Sequence, residues 1–330
     1  MTISIIIPIY NTEKYIQRCL DSVLVHNHFV DEVICIDDGS TDKSGTILKE
    51  YAIKYPNLRV VTQKNLGLSV VRNVGLQIAQ GDYVYFLDSD DYLLPGTIER
   101  IIDKLSLSPE VELLCCNAEK SDQTFYYPLG EQLNGIVRGT EFVCFFRNTY
   151  RSAYVAPVWL YVYKRQFLLG NNLQFEPNLL HEDELFTPQA LLCARSIAHL
   201  NIPIVYHLMQ REGAITSKVT DVHLRHFAFI NRQLNQLYSD SKGIDCSCFR
   251  ETIFTNYISC LGKSLMNKIP FDKWFSLKDR ICMKKNAQDV YQKKIAVLAF
   301  CNPALSIKYY NNHLSLIGRK LISYALWWIK

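Results

Sequence analysis

The strongest constraint on the fold is a regular alternation of two hydrophobic periods over the first 117 residues. Short apolar runs rich in β-branched residues occur at 3–9, 33–37, 58–63, 83–88 and 112–116. Between them lie stretches of helical length at 13–25, 43–55, 68–79 and 96–107. In the first of these, Ile16, Leu20, Val23 and Leu24 recur at i, i+4, i+7 and i+8, one buried helical stripe. The strands are apolar almost throughout, which suits a sheet covered on both faces. The expected fold class is therefore α/β, with a Rossmann-like, mostly parallel sheet and helices on both faces. Sheets of this kind bind ligands at the carboxyl ends of their strands. Chemistry is expected just after Ile9, Asp37, Gln63 and Asp88.

The rest of the chain is less regular. Residues 118–220 are mixed, with an aromatic-rich stretch at 150–166, a helical pattern at 181–195 despite Pro188, and a strand-like run at 202–209. From about residue 221 the pattern is helical, most clearly at 222–238 and 249–267. A length of 330 residues exceeds what one core usually fills. The reading is one domain over 1–220, divided into halves 1–117 and 118–220, and a helical C-terminal region over 221–330. The net charge of +4 is too mild to argue for nucleic acid, but it is unevenly spread. Residues 1–239 carry 21 basic and 26 acidic side chains, and residues 240–330 carry 15 and 6. The 11 cysteines form no CxxC pair, which disfavours a zinc finger or compact disulfide framework and suits mostly unpaired thiols in a reducing cytosol. No signal-peptide pattern opens the chain, and no stretch reaches the ~18 apolar residues of a membrane span. A cytoplasmic protein is expected.

Each strand of the first half ends in polar residues that could serve one ligand. Strand one leads through Pro8 to Tyr10, an aromatic face on which a base could stack, and then to Glu13. Strand two closes on Asp37-Asp38, two carboxylates that are costly to bury without a donor or cation. Strand three is followed by Lys64 and by a helix carrying Arg72 and Asn73. Strand four ends in Asp88-Ser89-Asp90-Asp91. If that segment is extended, Asp88 and Asp90 point to the same side roughly 7 Å apart. Such a pair suits Mg2+ or Mn2+, which are held by one or two carboxylates together with substrate phosphate oxygens.

The stretches 5–11 (IIIPIYN), 33–42 (VICIDDGSTD), 65–73 (NLGLSVVRN) and 81–91 (GDYVYFLDSDD) resemble, in content, order and spacing, the donor domain of glycosyltransferase family 2, an inverting family with the GT-A fold. The resemblance implies that Asp38 contacts the uracil of a UDP-sugar, with Tyr10 against the base and Pro8 beside it. It places Glu13, Lys64 and Arg72 near the nucleotide or its phosphates. Asp88, Ser89 and Asp90 become the metal-and-ribose motif, with Asp90 the direct metal ligand and Asp88 its companion.

Transfer with inversion also requires a base for the acceptor hydroxyl. The family carries a Glu-Asp pair followed by an aromatic residue, and Glu182-Asp183 with Phe186 matches it. By resemblance Asp183 is the general base and Glu182 orients its neighbours. Trp159 matches a family tryptophan near the acceptor and is given a wall or packing role, and His207 could reach a diphosphate or metal. The stretch 206–216 resembles the loop that closes the donor region, with Ala214 where a serine is usual. The family implies a nucleotide-sugar donor and a saccharide or lipid-linked saccharide acceptor, as in bacterial surface-polysaccharide synthesis. Residues 313–330, His313 to Lys330, pattern as an apolar helix with basic residues and boundary tryptophans. Such a helix could lie on an anionic membrane surface, which would make the protein peripheral, or dock on the core or a dimer partner. Two rivals remain: a family member that binds nucleotide or glycan without transferring it, and a phosphatase with an aspartate nucleophile. The phosphatase signature belongs on strand one, and here the DxD lies on strand four.

Overall fold

In a computed structural model of the protein, residues 1–25, 30–126, 133–150, 156–209, 219–241, 244–287, 292–293 and 295–296 are described. By contacts the chain divides into two units, Met1–Phe142 with Val155–Met209, and Val143–Tyr154 with Gln210–Lys330.

The first unit is built on an eight-stranded sheet of order β3-β2-β1-β4-β7-β6-β8-β5. Its first strands and helices follow the sequence pattern: β1 (Ile3–Ile9), α1 (Ile16–Leu24), β2 (Glu32–Asp37), α2 (Ser44–Lys54), β3 (Leu58–Thr62), α3 (Leu68–Ile78) and β4 (Tyr83–Phe86). β3, β2, β1 and β4 pair in parallel. Ile5, Ile6 and Ile7 of β1 are wholly buried, and each such side chain contributes roughly 1.5–3 kcal/mol relative to exposure. The stripe read from α1 is buried as expected, with Ile16, Cys19, Leu20, Val23 and Leu24 all inward.

Beyond β4 the sheet departs from the mostly parallel expectation. β5 (Tyr92–Leu93), α4 (Thr97–Ser106), β6 (Leu113–Lys120), α5 (Gly139–Tyr150), β7 (Tyr161–Lys164), α6 (Arg165–Gly170), α7 (Asp183–Cys193) and β8 (Ile197–His207) complete the order. β7 runs antiparallel to both β4 and β6 and fills the slot that a plain βαβ crossover would give to β6. β6 and β8 then pair in parallel, with β5 antiparallel at the β8 edge. The aromatic stretch 150–166 supplies β7, whose Tyr161 and Tyr163 are completely buried. Pro8 is tolerated inside this sheet because β1 pairs with β4 only from Ile3 to Ile6, while its pairing with β2 continues to Ile9. The missing amide of Pro8 falls on the side where no ladder remains.

The second unit contains α8 (Asp221–Asp240), α9 (Ser247–Met266) and α10 (Leu277–Asn286), close to the helices expected at 222–238 and 249–267. α10 starts at a reciprocal cap in which Asp279 Oδ2 accepts from the Ser276 amide at 2.7 Å and Ser276 Oγ accepts from the Asp279 amide at 3.4 Å. Arg232 of α8 donates to both oxygens of Asp279, each at 2.8 Å, a planar fork that fixes α10 against α8. Cys144 and Cys248, 104 residues apart, form a disulfide that no spacing in the sequence signals. Six further cysteines are buried, as expected for the majority. Among the described residues no helix is long and apolar enough to cross a membrane. The segment 313–330 lies outside the described residues.

Candidate active site

The ends of β1, β2, β3 and β4 form one rim. Backbone bonds stitch it laterally: the Asp38 amide donates to Ile9 O at 2.8 Å and the Gln63 amide to Asp37 O at 2.9 Å. Asp38 is buried, and its carboxylate accepts from Gln63 Nε2 at 2.7 Å and from the amides of Leu66 and Gly67 at 2.9 and 2.8 Å. Three of the roughly four acceptor positions of a carboxylate are thus used on the loop after β3, leaving about one for a ligand. Gly39 is required here, because at φ 74° a Cβ would meet the Asn65 nitrogen at 3.1 Å. Tyr10, just past the end of β1, is 47% exposed. One oxygen of Glu13 accepts from the Lys43 amide at 2.8 Å at the start of α2, so this carboxylate also has a structural task. Lys64 is exposed.

The acidic motif is not an extended segment. β4 stops at Phe86, and the Asp91 amide donates to Asp88 O at 3.0 Å, closing a turn around the buried Ser89. Asp88 and Asp90 are therefore not alternate residues of a strand, as the sequence reading supposed, but members of a turn. Asp88, Asp90 and Asp91 each bring a carboxylate oxygen within 4.8 Å of the others. The turn adds Asp91, to which the sequence reading gave no role. Asp91 is fully buried and faces His207, whose Nδ1 lies 3.1 and 3.0 Å from its two oxygens, and the Leu208 amide donates to it at 2.9 Å. Burial pushes Asp91 up to about 6, with His207 pulling in the other direction. Burial disfavours the charged form of His207, but Asp91 outweighs it and raises the imidazole. Trp159 stacks on the His207 ring at 4.7 Å, and Tyr126 meets both rings edge-on. Trp159 thus fixes the imidazole plane, and Tyr126 belongs to the same wall although nothing in its local sequence marks it.

Arg72 joins the two halves of the first unit. It is 2% exposed, and its Nη2 donates to Asp88 Oδ1 at 2.8 Å while Nη1 is paired with Glu182 Oε1. Burial works against the guanidinium charge, but Asp88 and then Glu182 more than compensate and raise its pKa. The sequence reading set Arg72 near nucleotide phosphates; its two Nη groups are here engaged by carboxylates. The next residue, Asn73, exchanges a reciprocal pair of 2.8 Å bonds with the backbone of Phe175. Phe175 stacks on Phe186 of α7 at 3.9 Å. Two consecutive residues of α3 therefore anchor the approach to α7. His181 turns the chain there in a left-handed conformation, φ 63°, strained for a non-glycine residue. Glu182 and Asp183 follow at the start of α7. Burial, then the neighbouring charges of Glu182 and Glu184, raise Asp183 well above the ordinary carboxylate range. A carboxyl tuned upward is a better proton acceptor near neutral pH than an ordinary aspartate.

The likeness to known proteins agrees with this geometry. The profile described as Glycosyl transferase family 2 matches residues 4–164. An uncharacterized glycosyltransferase of Escherichia coli K12, YibD, is 30% identical over 251 residues, covering 72% of this chain and 72% of its own length. For the next three curated relatives the chain spans 43–60% of their length. Among solved structures, Staphylococcus aureus TarS 1-349 in complex with UDP-GlcNAc superposes with a TM-score of 0.60 at 22% identity, covering 91% of this chain and 92% of that one. The Pyrobaculum calidifontis mannosyltransferase PcManGT, in complex with GDP-Man and Mn2+, gives 0.57 at 17% identity over 99% and 84%. With the sheet order, the acidic turn and the Glu182-Asp183 pair in hand, these matches establish that the chain belongs to glycosyl transferase family 2 and carries its GT-A fold.

Proposed function

We propose that the protein transfers a sugar, with inversion, from a nucleotide-sugar donor to a hydroxyl of a saccharide or lipid-linked saccharide used in surface-polysaccharide synthesis. The observation that carries this reading is the Arg72 bridge, which ties an acidic turn able to meet a diphosphate to buried Glu182 and, next to it, half-buried Asp183, which is able to take a proton. A UDP-sugar is the first choice of donor, supported by exposed Tyr10 at the end of β1, by Asp38 at the end of β2 and by the UDP-GlcNAc held by the TarS structure. The three clustered carboxylates fit a hard divalent cation, Mg2+ or Mn2+, and Mn2+ accompanies the PcManGT complex. Asp90 and Asp88 would hold it, with Asp91 and His207 behind them. Such a cation supplies charge stabilisation to a departing diphosphate.

The chain's own residues account for the remaining work. Asp183 accepts the proton of the acceptor hydroxyl as that oxygen bonds to the anomeric carbon and the nucleoside diphosphate leaves with the bonding electrons. Arg72 is a positioning residue that holds Asp88 and Glu182 in register. Trp159 and His207 line the acceptor side. We further take residues 1–220 as the catalytic part and 221–330 as an appendage, in a protein resident in the cytoplasm or peripheral to the membrane through residues 313–330.

Incubation with UDP-, GDP- and dTDP-sugars and Mn2+ is expected to release nucleoside diphosphate slowly from one donor class, most strongly UDP. No release from any of them removes the transferase reading in favour of a binding-only relative. Asp90→Ala is expected to raise the metal concentration needed for half-maximal turnover by at least about tenfold. An unchanged metal requirement takes Asp90 out of the coordination role.

A further inference from the structure

The outer face of α10 combines exposed aliphatic and basic side chains. At about 100° per residue, Leu277, Lys278, Ile281, Lys284 and Lys285 fall within an arc of roughly 120°. All five are exposed, Leu277 by 63% and Ile281 by 43%. The inward face takes Met283 and Asn286, so this helix leaves two large aliphatic side chains outside while it buries an amide. Its single carboxylate, Asp279, is held by Arg232 and the Ser276 cap and offers no counter-charge to the three lysines.

We propose that this face docks on an anionic lipid surface. Charge complementarity selects the sign of the partner: three lysines and, among the described residues of this arc, no carboxylate call for anionic headgroups. The interleaved leucine and isoleucine select a lipid boundary over a soluble polyanion, because headgroup and acyl region together accept both kinds of side chain. The inference is independent of the sugar-transfer reading and does not use residues 313–330.

The test is flotation of the full chain with vesicles of phosphatidylcholine alone or with about one third phosphatidylglycerol. Wild type is expected to float only with the anionic vesicles. Lys278→Glu with Lys284→Glu and Lys285→Glu is expected to weaken that binding on the order of a hundredfold. Leu277→Ser with Ile281→Ser is expected to keep binding at low salt and lose it at high salt, where only the apolar part resists screening. All five positions are exposed, and circular dichroism checks that the variants stay folded. Wild type that ignores anionic vesicles overturns the proposal, as does a triple-lysine variant that floats like wild type. If deletion of residues 313–330 abolishes flotation while the lysine variant does not, the lipid contact belongs to the tail and not to α10. A lysine variant that changes oligomeric state, with flotation unaltered, makes the face a contact between copies and equally overturns the proposal.

Discussion

Asp183→Asn is expected to abolish sugar transfer, by roughly 100- to 10,000-fold or more, while donor-nucleotide affinity stays within about twofold. The amide keeps the shape of the side chain but cannot take the acceptor proton. A stability measurement on the same variant separates this from misfolding. Burial, then Glu182 and Glu184, hold the Asp183 pKa above its unfolded value, so the native state binds the proton more tightly than the unfolded state. Stability contributed by protonated Asp183 is full at pH below the unfolded pKa, near 3.9, and is lost as pH rises through the higher folded value. Above that folded value the ionised side chain is therefore a burden that asparagine relieves, and the variant is expected there to melt at the same temperature as wild type or above it. The same shift predicts that kcat/KM falls on acidification at a pH above that of an ordinary carboxylate. Glu184→Gln, by removing one neighbouring charge, is expected to move that acid limb downward. Equal loss of transfer and nucleotide binding in Asp183→Asn, or an acid limb unmoved by Glu184→Gln, would sink the assignment.

Arg72→Met carries the second large effect, and it falls on stability as well as activity. Asp88 and Glu182 lose their shared cation, and Glu182 is left buried without it. Removing one partner of a buried ion pair costs about 3–5 kcal/mol. A thermal midpoint lowered on the order of 10 °C is expected for a unit of this size. Donor KM is expected to rise with it, since Asp88 sits in the acidic turn, and kcat to fall, since Glu182 precedes the base. Glu182→Gln in the Arg72→Met background is expected to recover part of the stability and none of the activity, because it removes the orphaned charge without restoring the bridge. A single variant with unchanged melting temperature and unchanged KM would contradict the bridging role of Arg72.

The sequence alone determined the elements of the donor half and the rim on which its chemistry sits. The apolar periods of β1, β2, β3, α1 and α3 are local signals, set by which side chains each segment must bury. The same holds for the position of Asp38 and the acidic motif at strand ends, and for the Glu182-Asp183 pair, whose type and spacing match the family. The tertiary structure decided what these residues do to one another. It put β7 between β4 and β6, because buried Tyr161 and Tyr163 find their place there, and no local period encodes which strand is a neighbour. It folded Asp88–Asp91 into a turn, which drew Asp91 into the acidic cluster and set His207 against it from β8, 116 residues away. It also sent Arg72 across 110 residues to Glu182, a pairing that depends on Asn73 and Phe175 docking the approach to α7. A sequence lists its charges in order, but burial makes each charge seek a partner in space, and only the packed chain shows which partner it finds.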